Sequence, residues 1–328
     1  MISEKQFNVG SILISNNLFL APMDGFTDHP FRIISKKLGA GVIFSEFING
    51  LDIANKHPFL EQKLFFTEFE RPFAYQIFDD SPERILFAAQ FLAERNPDFI
   101  DINFGCSARN VANRGAGAGL LLQPLKISKI ISLLVKNLSI PITAKIRLGW
   151  DDSKLNYLEV SKIIEEEGAA MISVHGRTKK QGYAGKANWK AIEEIKSERK
   201  IPIIANGDVQ FKDDIERIKL ATNCDGVMIG RGAIQNPWIF QRKDIEDVTF
   251  QERLSLFSDH FNSILEFYGQ KTGMVLFRKH LKSYIKLDHL SRSERIQLFH
   301  PLDKTHFVNQ VEFYMRSQLS SHQVLFRS

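Results

Sequence analysis

The sequence predicts an α/β chain folded as a (β/α)8 TIM barrel, followed by a small C-terminal helical domain. Eight short apolar runs alternate with longer segments of helical periodicity between residues 18 and 239. The runs are nearly continuous in apolar character, as parallel strands covered on both faces are. Polar or ionisable residues gather at the same end of seven of the eight. An open doubly wound sheet would show fewer strands and a glycine-rich first turn of the GxGxxG type, which is absent after residues 18–21. The 328 residues are enough for one barrel of roughly 250 residues and a small appended domain.

The runs are residues 18–21, 42–45, 73–77, 99–103, 142–146, 171–175, 203–206 and 226–229. Most carry β-branched or aromatic residues and stop at Gly, Pro, Asn or a charge. Between them, Ser81-Pro82-Glu83 reads as an N-cap, a first-turn proline and an acidic first turn. Ile85, Phe87, Ala88, Phe91 and Leu92 follow at helical spacing, and residues 127–138 and 158–167 repeat the pattern, the latter stopped by Gly168. The alternation ends near residues 244–249, so the barrel is assigned to 1–242 and the helical domain to 243–328. Within that domain residues 251–268 and 273–287 read as amphipathic helices, and the polar stretch 317–328 is expected to be poorly ordered.

Hydrophobic residues make up 44% and charged residues 25% of the chain, ordinary values for a globular protein. The net charge of +5 and pI of about 9.0 suit a polyanionic partner without requiring one. Two cysteines, Cys106 and Cys224, make no disulfide framework, and the first residues have no apolar signal core. No apolar run reaches the roughly 20 residues of a membrane span. The expectation is a cytoplasmic, monomeric protein. No Cys/His spacing suggests a metal site.

In a barrel the active groups sit at the C-terminal strand ends. Read in order, those ends carry Ala21-Pro22-Met23-Asp24, Gln76, Asn103 with Gly105-Cys106, Lys145 and Arg147, His175 and Arg177, Asn206-Gly207-Asp208, and Gly230-Arg231-Gly232. The last two loops let backbone N–H groups approach an anion, and Arg231 adds a guanidinium, so a mononucleotide phosphate is the natural ligand there. Lys145 suits the negative charge of a reduced flavin. Gln76 matches the donor–acceptor edge of an isoalloxazine ring, and equally a bond to a neighbouring loop. Cys106 follows a strand in a glycine-bearing loop, and a thiol of ordinary pKa, about 8.5, is protonated at neutral pH and can act as a general acid. Cys224, before an apolar run, reads as a small core residue.

These residues resemble the tRNA-dihydrouridine synthase family. Residues Leu20-Ala21-Pro22-Met23-Asp24-Gly25-Phe26-Thr27-Asp28 resemble its opening motif, and Asp101-Ile102-Asn103-Phe104-Gly105-Cys106 its catalytic loop. Ala144-Lys145-Ile146-Arg147, Val174-His175-Gly176-Arg177-Thr178, Ala205-Asn206-Gly207-Asp208 and Ile229-Gly230-Arg231 follow in the family's order. The resemblance is strong over residues 12–240 and weaker beyond. It implies FMN at the barrel mouth, reduced by NADPH, with hydride passed to C6 of a uridine in tRNA and a proton to C5. Cys106 would be that proton donor. Pro22, Met23, Asp24, Gln76, Lys145, His175, Asn206, Gly207, Asp208, Gly230 and Arg231 would surround FMN. Asn103 and His175 would reach the uracil, and Arg177 the phosphate or the RNA. The chain departs from the family at Ser107, where proline is usual, at Asn110, where a basic residue is usual, and at Ala118, where serine is usual.

Between Lys271 and Arg295 the chain carries seven Lys/Arg against two acids. Arg278, Lys282 and Lys286, spaced i, i+4, i+8, share one face of the helix expected there. A basic helical face suits phosphate contacts, and it also suits plain solvation; the resemblance favours tRNA. Two alternatives stay open: a flavin barrel acting on a free pyrimidine or an enone, like dihydroorotate dehydrogenase, and a non-catalytic tRNA-binding protein.

Overall fold

Strands that are apolar on both faces need helices outside and one another's side chains inside. The computed structural model, which describes residues 6–301 and 303–325, meets both needs by closing the sheet. A hairpin of β1 (Phe7–Val9) and β2 (Ile12–Ile14) comes first. The barrel follows with β3 (Leu18–Leu20), α1 (His29–Lys37), β4 (Val42–Asn49), α2 (Gly50–Ala54), α3 (Leu60–Leu64) and β5 (Phe73–Phe78). It continues with α4 (Pro82–Ala93), β6 (Phe99–Phe104), α5 (Arg109–Ala112), α6 (Pro124–Asn137) and β7 (Ile142–Arg147). Then come α7 (Tyr157–Glu166), β8 (Met171–His175), α8 (Trp189–Glu198), β9 (Ile203–Asn206), α9 (Lys212–Thr222) and β10 (Gly226–Ile229). Neighbours from β3 to β10 pair in parallel, and β10 pairs back onto β3, which leaves no sheet edge.

Every apolar run read as a strand is one. The run at 42–45 continues to Asn49, past a register irregularity between Phe44 and Phe47. Ser81 caps α4 as its sequence predicts, accepting from Arg84 N at 3.3 Å with Pro82 in the first turn. The hairpin was not anticipated. Its Val9 and Ile14 pack with Phe19, Val42, Phe44, Phe99 and Met171, and the Phe7 ring stacks on Phe19 at 6.4 Å between centroids. These residues plug the N-terminal end of the barrel and leave the other end for chemistry.

The chain divides into two compact units, residues 1–230 and 231–328. The change of pattern in the sequence falls near 243; α10 (Arg231–Gln235) and a 3-10 turn (Pro237–Gln241) occupy the interval. The second unit goes on with α11 (Phe250–Tyr268), α12 (Gln270–Phe277), α13 (Arg292–Phe299) and α14 (Lys304–Leu325). Thr249 and Glu252 form a capping box at the start of α11. Phe257, Phe261, Phe277, Tyr284 and Phe307 form the aromatic core, with the buried rings of His260 and His280 at 4.6 Å from each other. Desolvation lowers His260 to about 3, so both rings stay neutral and behave as core residues.

One expectation is corrected in this unit. The helix expected over 273–287 stops at Phe277, and Arg278–Ser283 is 3-10. Phe277, His280, Leu281, Ser283 and Tyr284 are all buried there. Arg278, Lys282 and Lys286 therefore do not form one α-helical face. The backbone of α14 runs as a helix to Leu325, and Phe307, Val311, Tyr314 and Met315 give it a buried stripe before residue 317. Residues 326–328 of the stretch 317–328 lie outside the described residues. No helix among the described residues is long and apolar enough to cross a membrane.

Candidate active site

The mouth is organised from β6. Alternate residues of a strand share a face, so Asp101 and Asn103 both point inward. Asp101 is fully buried and accepts from Thr143 Oγ1 at 2.5 Å and from Gln76 Nε2 at 2.6 Å. Gln76 Oε1 accepts from Asn103 Nδ2 at 2.8 Å. Asn103 Oδ1 accepts from the backbone N–H groups of Gly105 at 3.0 Å and Cys106 at 2.7 Å. This turn fixes where β6 hands over to the Cys106 loop. The loop's far end is pinned as well: Ala118 N donates to Cys106 O at 3.1 Å. Gly117 has φ +53, and a Cβ there would lie 2.9 Å from Cys106 Cβ, so glycine is required.

Cys106 is half-buried, and its burial pushes the thiol up from its ordinary value. The proton stays on sulfur at neutral pH. Cys224 is also free, but it is buried, as its position before β10 suggested.

Lys145 projects from β7 and donates to Asn206 Oδ1 at 3.1 Å, while Asn206 Nδ2 donates to Met228 O at 2.8 Å. Desolvation, helped by Arg147, lowers Lys145 to about 8. Burial raises Asp101 to about 6 against the pull of Gln76, Thr143 and Lys145. At neutral pH both groups are charged, and Lys145 with Arg147 leaves an excess of positive charge beside the thiol.

Arg147 was read only as part of a motif. It staples two loops. Its Nε donates to Gly105 O at 2.8 Å, its Nη1 to Thr178 O at 3.0 Å and Gly182 O at 2.8 Å, and its Nη2 to Ser107 Oγ at 3.4 Å. Ser107, the departure from the family pattern, thus gains a partner that proline has no hydroxyl to offer. Asp101 was likewise left out of the sequence-derived site residues. Its signal was a carboxylate two residues before Asn103 inside an apolar run, a costly burial unless the carboxylate is used.

Other expected residues sit differently from the reading of the sequence. Arg177 is only 2% exposed. Its guanidinium binds both Asp208 carboxylate oxygens, at 2.6 and 2.8 Å, and the Ala184 and Gly185 carbonyls. It ties the β9 loop to the loop after β8. Asp208, at φ +58, also accepts from Ala187 N, so its carboxylate is committed to that loop. Arg177 Nη1 lies 3.3 Å from His175 Nε2; a guanidinium only donates, so a neutral His175 carries its proton on Nδ1. Gly207, at φ +131, lies against the His175 ring. Met23 is held by mutual bonds with Thr27, and Gly25 N donates to Glu46 Oε1 at 2.5 Å. Asp24 is exposed and pairs with Lys63 at 2.9 Å. Pro22 is half-buried beside them. Gly230 closes the first unit; Arg231, Arg278, Lys282 and Lys286 belong to the second.

Ionisable and amide side chains drawn from five consecutive strands onto one barrel mouth make this the catalytic barrel of an enzyme. Likeness to known proteins says which. Residues 19–317 match the family model described as dihydrouridine synthase (Dus). The chain is 35% identical over 286 residues to tRNA-dihydrouridine synthase B of Pasteurella multocida, covering 85% of this chain and 86% of that one. It is 34% identical over 303 residues to tRNA-dihydrouridine synthase B of Vibrio parahaemolyticus, covering 90% and 94%. Among solved structures, a 2-naphthoyl-CoA reductase matches with TM-score 0.59 at 12% identity, over 73% of this chain and 51% of that one. Histamine dehydrogenase from Rhizobium sp. 4-9 matches with TM-score 0.58 at 11% identity, over 79% and 51%. The chain spans about half the length of these two, and they share its fold. The chain belongs to the dihydrouridine synthase family, and is with it a flavin-dependent oxidoreductase. Lys145 and Arg147 would set positive charge beside a reduced flavin ring and Asn206 an amide, while Gln76 is wholly buried with both amide atoms bonded to Asp101 and Asn103.

Proposed function

We propose that the chain reduces uridine in tRNA to dihydrouridine, with FMN at the barrel mouth and NADPH as its reductant. Cys106 carries the reading: a half-buried, protonated thiol on an anchored loop, beside the cations of β7. Saturating the C5–C6 bond of uracil requires a hydride at one carbon and a proton at the other, and reduced FMN supplies the hydride to C6. Cys106 Sγ holds the proton and gives it to C5 as a general acid. The thiolate left behind is stabilised by Arg147 and Lys145, both of which lower the thiol's pKa. Asn103 sets the loop and lies within the mouth for the uracil edge. Gln76 would support Asn103 from behind, and Lys145, His175 and Asn206 would flank the flavin. Pro22, Met23 and Asp24 border it, and the backbones of Gly207, Asp208 and Gly230, with Arg231, carry over from the family motifs as its phosphate site.

A tRNA substrate in place of a free pyrimidine is supported by the rim. No Asp or Glu lies between Asp101 and Asp151, or between Glu167 and Glu193. Exposed Arg109 and Arg114 sit in the first of these stretches and exposed Lys180 and Lys186 in the second. Arg278, Lys282 and Lys286 add phosphate contacts from the helical unit. The target base must leave its stack to reach the mouth. Such work on tRNA belongs in the cytoplasm. The test is Cys106→Ala: flavin content stays as in the wild type and dihydrouridine formation in tRNA is lost. Unchanged turnover removes Cys106 from the mechanism.

A further inference from the structure

The bonds from Asp101 to Cys106 form one chain in which each link sets the polarity of the next. Backbone N–H groups only donate, so Asn103 must turn its oxygen to Gly105 and Cys106. Its amide nitrogen then faces Gln76, which must answer with oxygen, at 2.8 Å. That leaves the Gln76 nitrogen facing Asp101, where a carboxylate accepts at 2.6 Å. Thr143 donates to the other oxygen of Asp101 at 2.5 Å and holds the carboxylate still. Gln76, Asp101 and Thr143 are each 0% exposed and Asn103 only 5%, so water does not correct a reversed amide. Read backwards, an acceptor-only group at one end dictates which face Asn103 shows to the loop at the other.

We propose that Asp101 is a positioning residue: through Gln76 it fixes the amide orientation of Asn103, and so the place of Cys106. The inference rests on Cys106 being the working thiol, although its own readout does not need turnover. With Asp101→Asn the charge that drove this polarity is gone, and only the Gly105 and Cys106 N–H groups still favour it. In the reversed order Asn103 turns its NH2 toward those N–H groups, so the fraction that adopts it has its loop released. With Gln76→Glu two buried carboxyls meet and share one proton, which keeps the bond to position 101 and leaves the order in place. The double variant Gln76→Glu with Asp101→Asn moves the charge one link along and restores the order: Asn at 101 donates to Glu at 76, which accepts from Asn103. A second double variant, Asp101→Asn with Asn103→Asp, moves the charge to the far end and leaves Gln76 unchanged.

The experiment measures alkylation of Cys106 by iodoacetamide, read by mass spectrometry of its peptide in flavin-loaded protein, with dihydrouridine formation alongside. Gln76→Glu alkylates near the wild-type rate, whereas the released loop of Asp101→Asn exposes its thiol, and alkylation there is faster by roughly fivefold or more. Turnover of Asp101→Asn falls about tenfold or more, as a reacting group moved by part of an ångström would cause. Both double variants return alkylation to near the wild-type rate. Double variants that alkylate as fast as Asp101→Asn overturn the proposal, as does Asp101→Asn with wild-type alkylation. The second pair decides the matter if substitution at Gln76 costs flavin. Failure of Cys106→Ala to lose turnover would remove the proton donor but leave the alkylation pattern intact, so the two readings fail separately.

Discussion

Burial takes Lys145 from 10.5 down to about 8, with Arg147 pushing the same way and Asp101 and Cys106 opposing. Cys106 moves up, also by burial. Two groups needed in their protonated forms thus lose their protons at different pH. A base with a lowered pKa keeps its charge below that value and loses it as pH rises through it. Turnover on tRNA should therefore fall as pH rises through about 8, before the thiol ionises. Lys145→Arg keeps a charge that does not titrate in this range. Its rate profile should lose the limb near 8 while its flavin content is retained; a limb that persists in Lys145→Arg belongs to another group. At this scale the sequence was legible where a residue stands alone. Cys106 and Lys145 stood out because a thiol and an amine at strand ends have few structural uses. Asp101 did not, because its role depends on Gln76 and Thr143, 25 and 42 residues away on other strands. The partners of Arg177, Asp208 and two carbonyls, are likewise ones that no spacing reveals.

At the scale of elements, periodicity located all eight barrel strands, since a strand buried on both faces has to be apolar throughout. It failed in the second unit, where α12 passes into a 3-10 turn. Charges at i, i+4, i+8 look alike whichever helix carries them, and the buried set Phe277, His280, Leu281, Tyr284 would fit an α-helix equally, so the pattern does not mark the change. The hairpin β1–β2 was passed over because three-residue strands are too short to show alternation. Glycines in loops were legible as a class but not by need. Gly207 is one with a need: φ is +131, and an added Cβ would lie 2.8 Å from Ala187 Cβ and 3.3 Å from His175 Cδ2. Gly207→Ala should cost roughly 1–3 kcal/mol of stability and loosen flavin by displacing His175 and the β9 loop. Thermal melting and flavin retention on dialysis check this together. A variant that melts and holds flavin like the wild type would show that the loop relaxes freely.

At the scale of the whole molecule, charge is distributed where composition does not show it. A net +5 is modest, yet the barrel's stretches after Asp101 and after Glu167 contain no acid at all. Lys180 and Lys186 are exposed there, and Lys282 is exposed in the helical unit. Lys286 is the weaker choice for a test, being half-buried with Glu246 at 4.0 Å from its ammonium. If one RNA touches both units, each lysine that meets a phosphate releases counterions on binding. Its loss should then lower the slope of log affinity against log salt by about 0.7–0.9. Lys282→Glu and Lys180→Glu/Lys186→Glu should each weaken tRNA binding and flatten that slope. NADPH oxidation by an artificial acceptor should stay unchanged, since neither set lies among the groups flanking the flavin. Sites that do not touch one another contribute additively, so the triple variant should lose the sum of the two effects in log affinity. Filter binding at several salt concentrations measures it. An unaltered slope in Lys282→Glu would assign that lysine to solvation alone. A triple variant no weaker than Lys180→Glu/Lys186→Glu would place the RNA on the barrel rim without help from the helical unit.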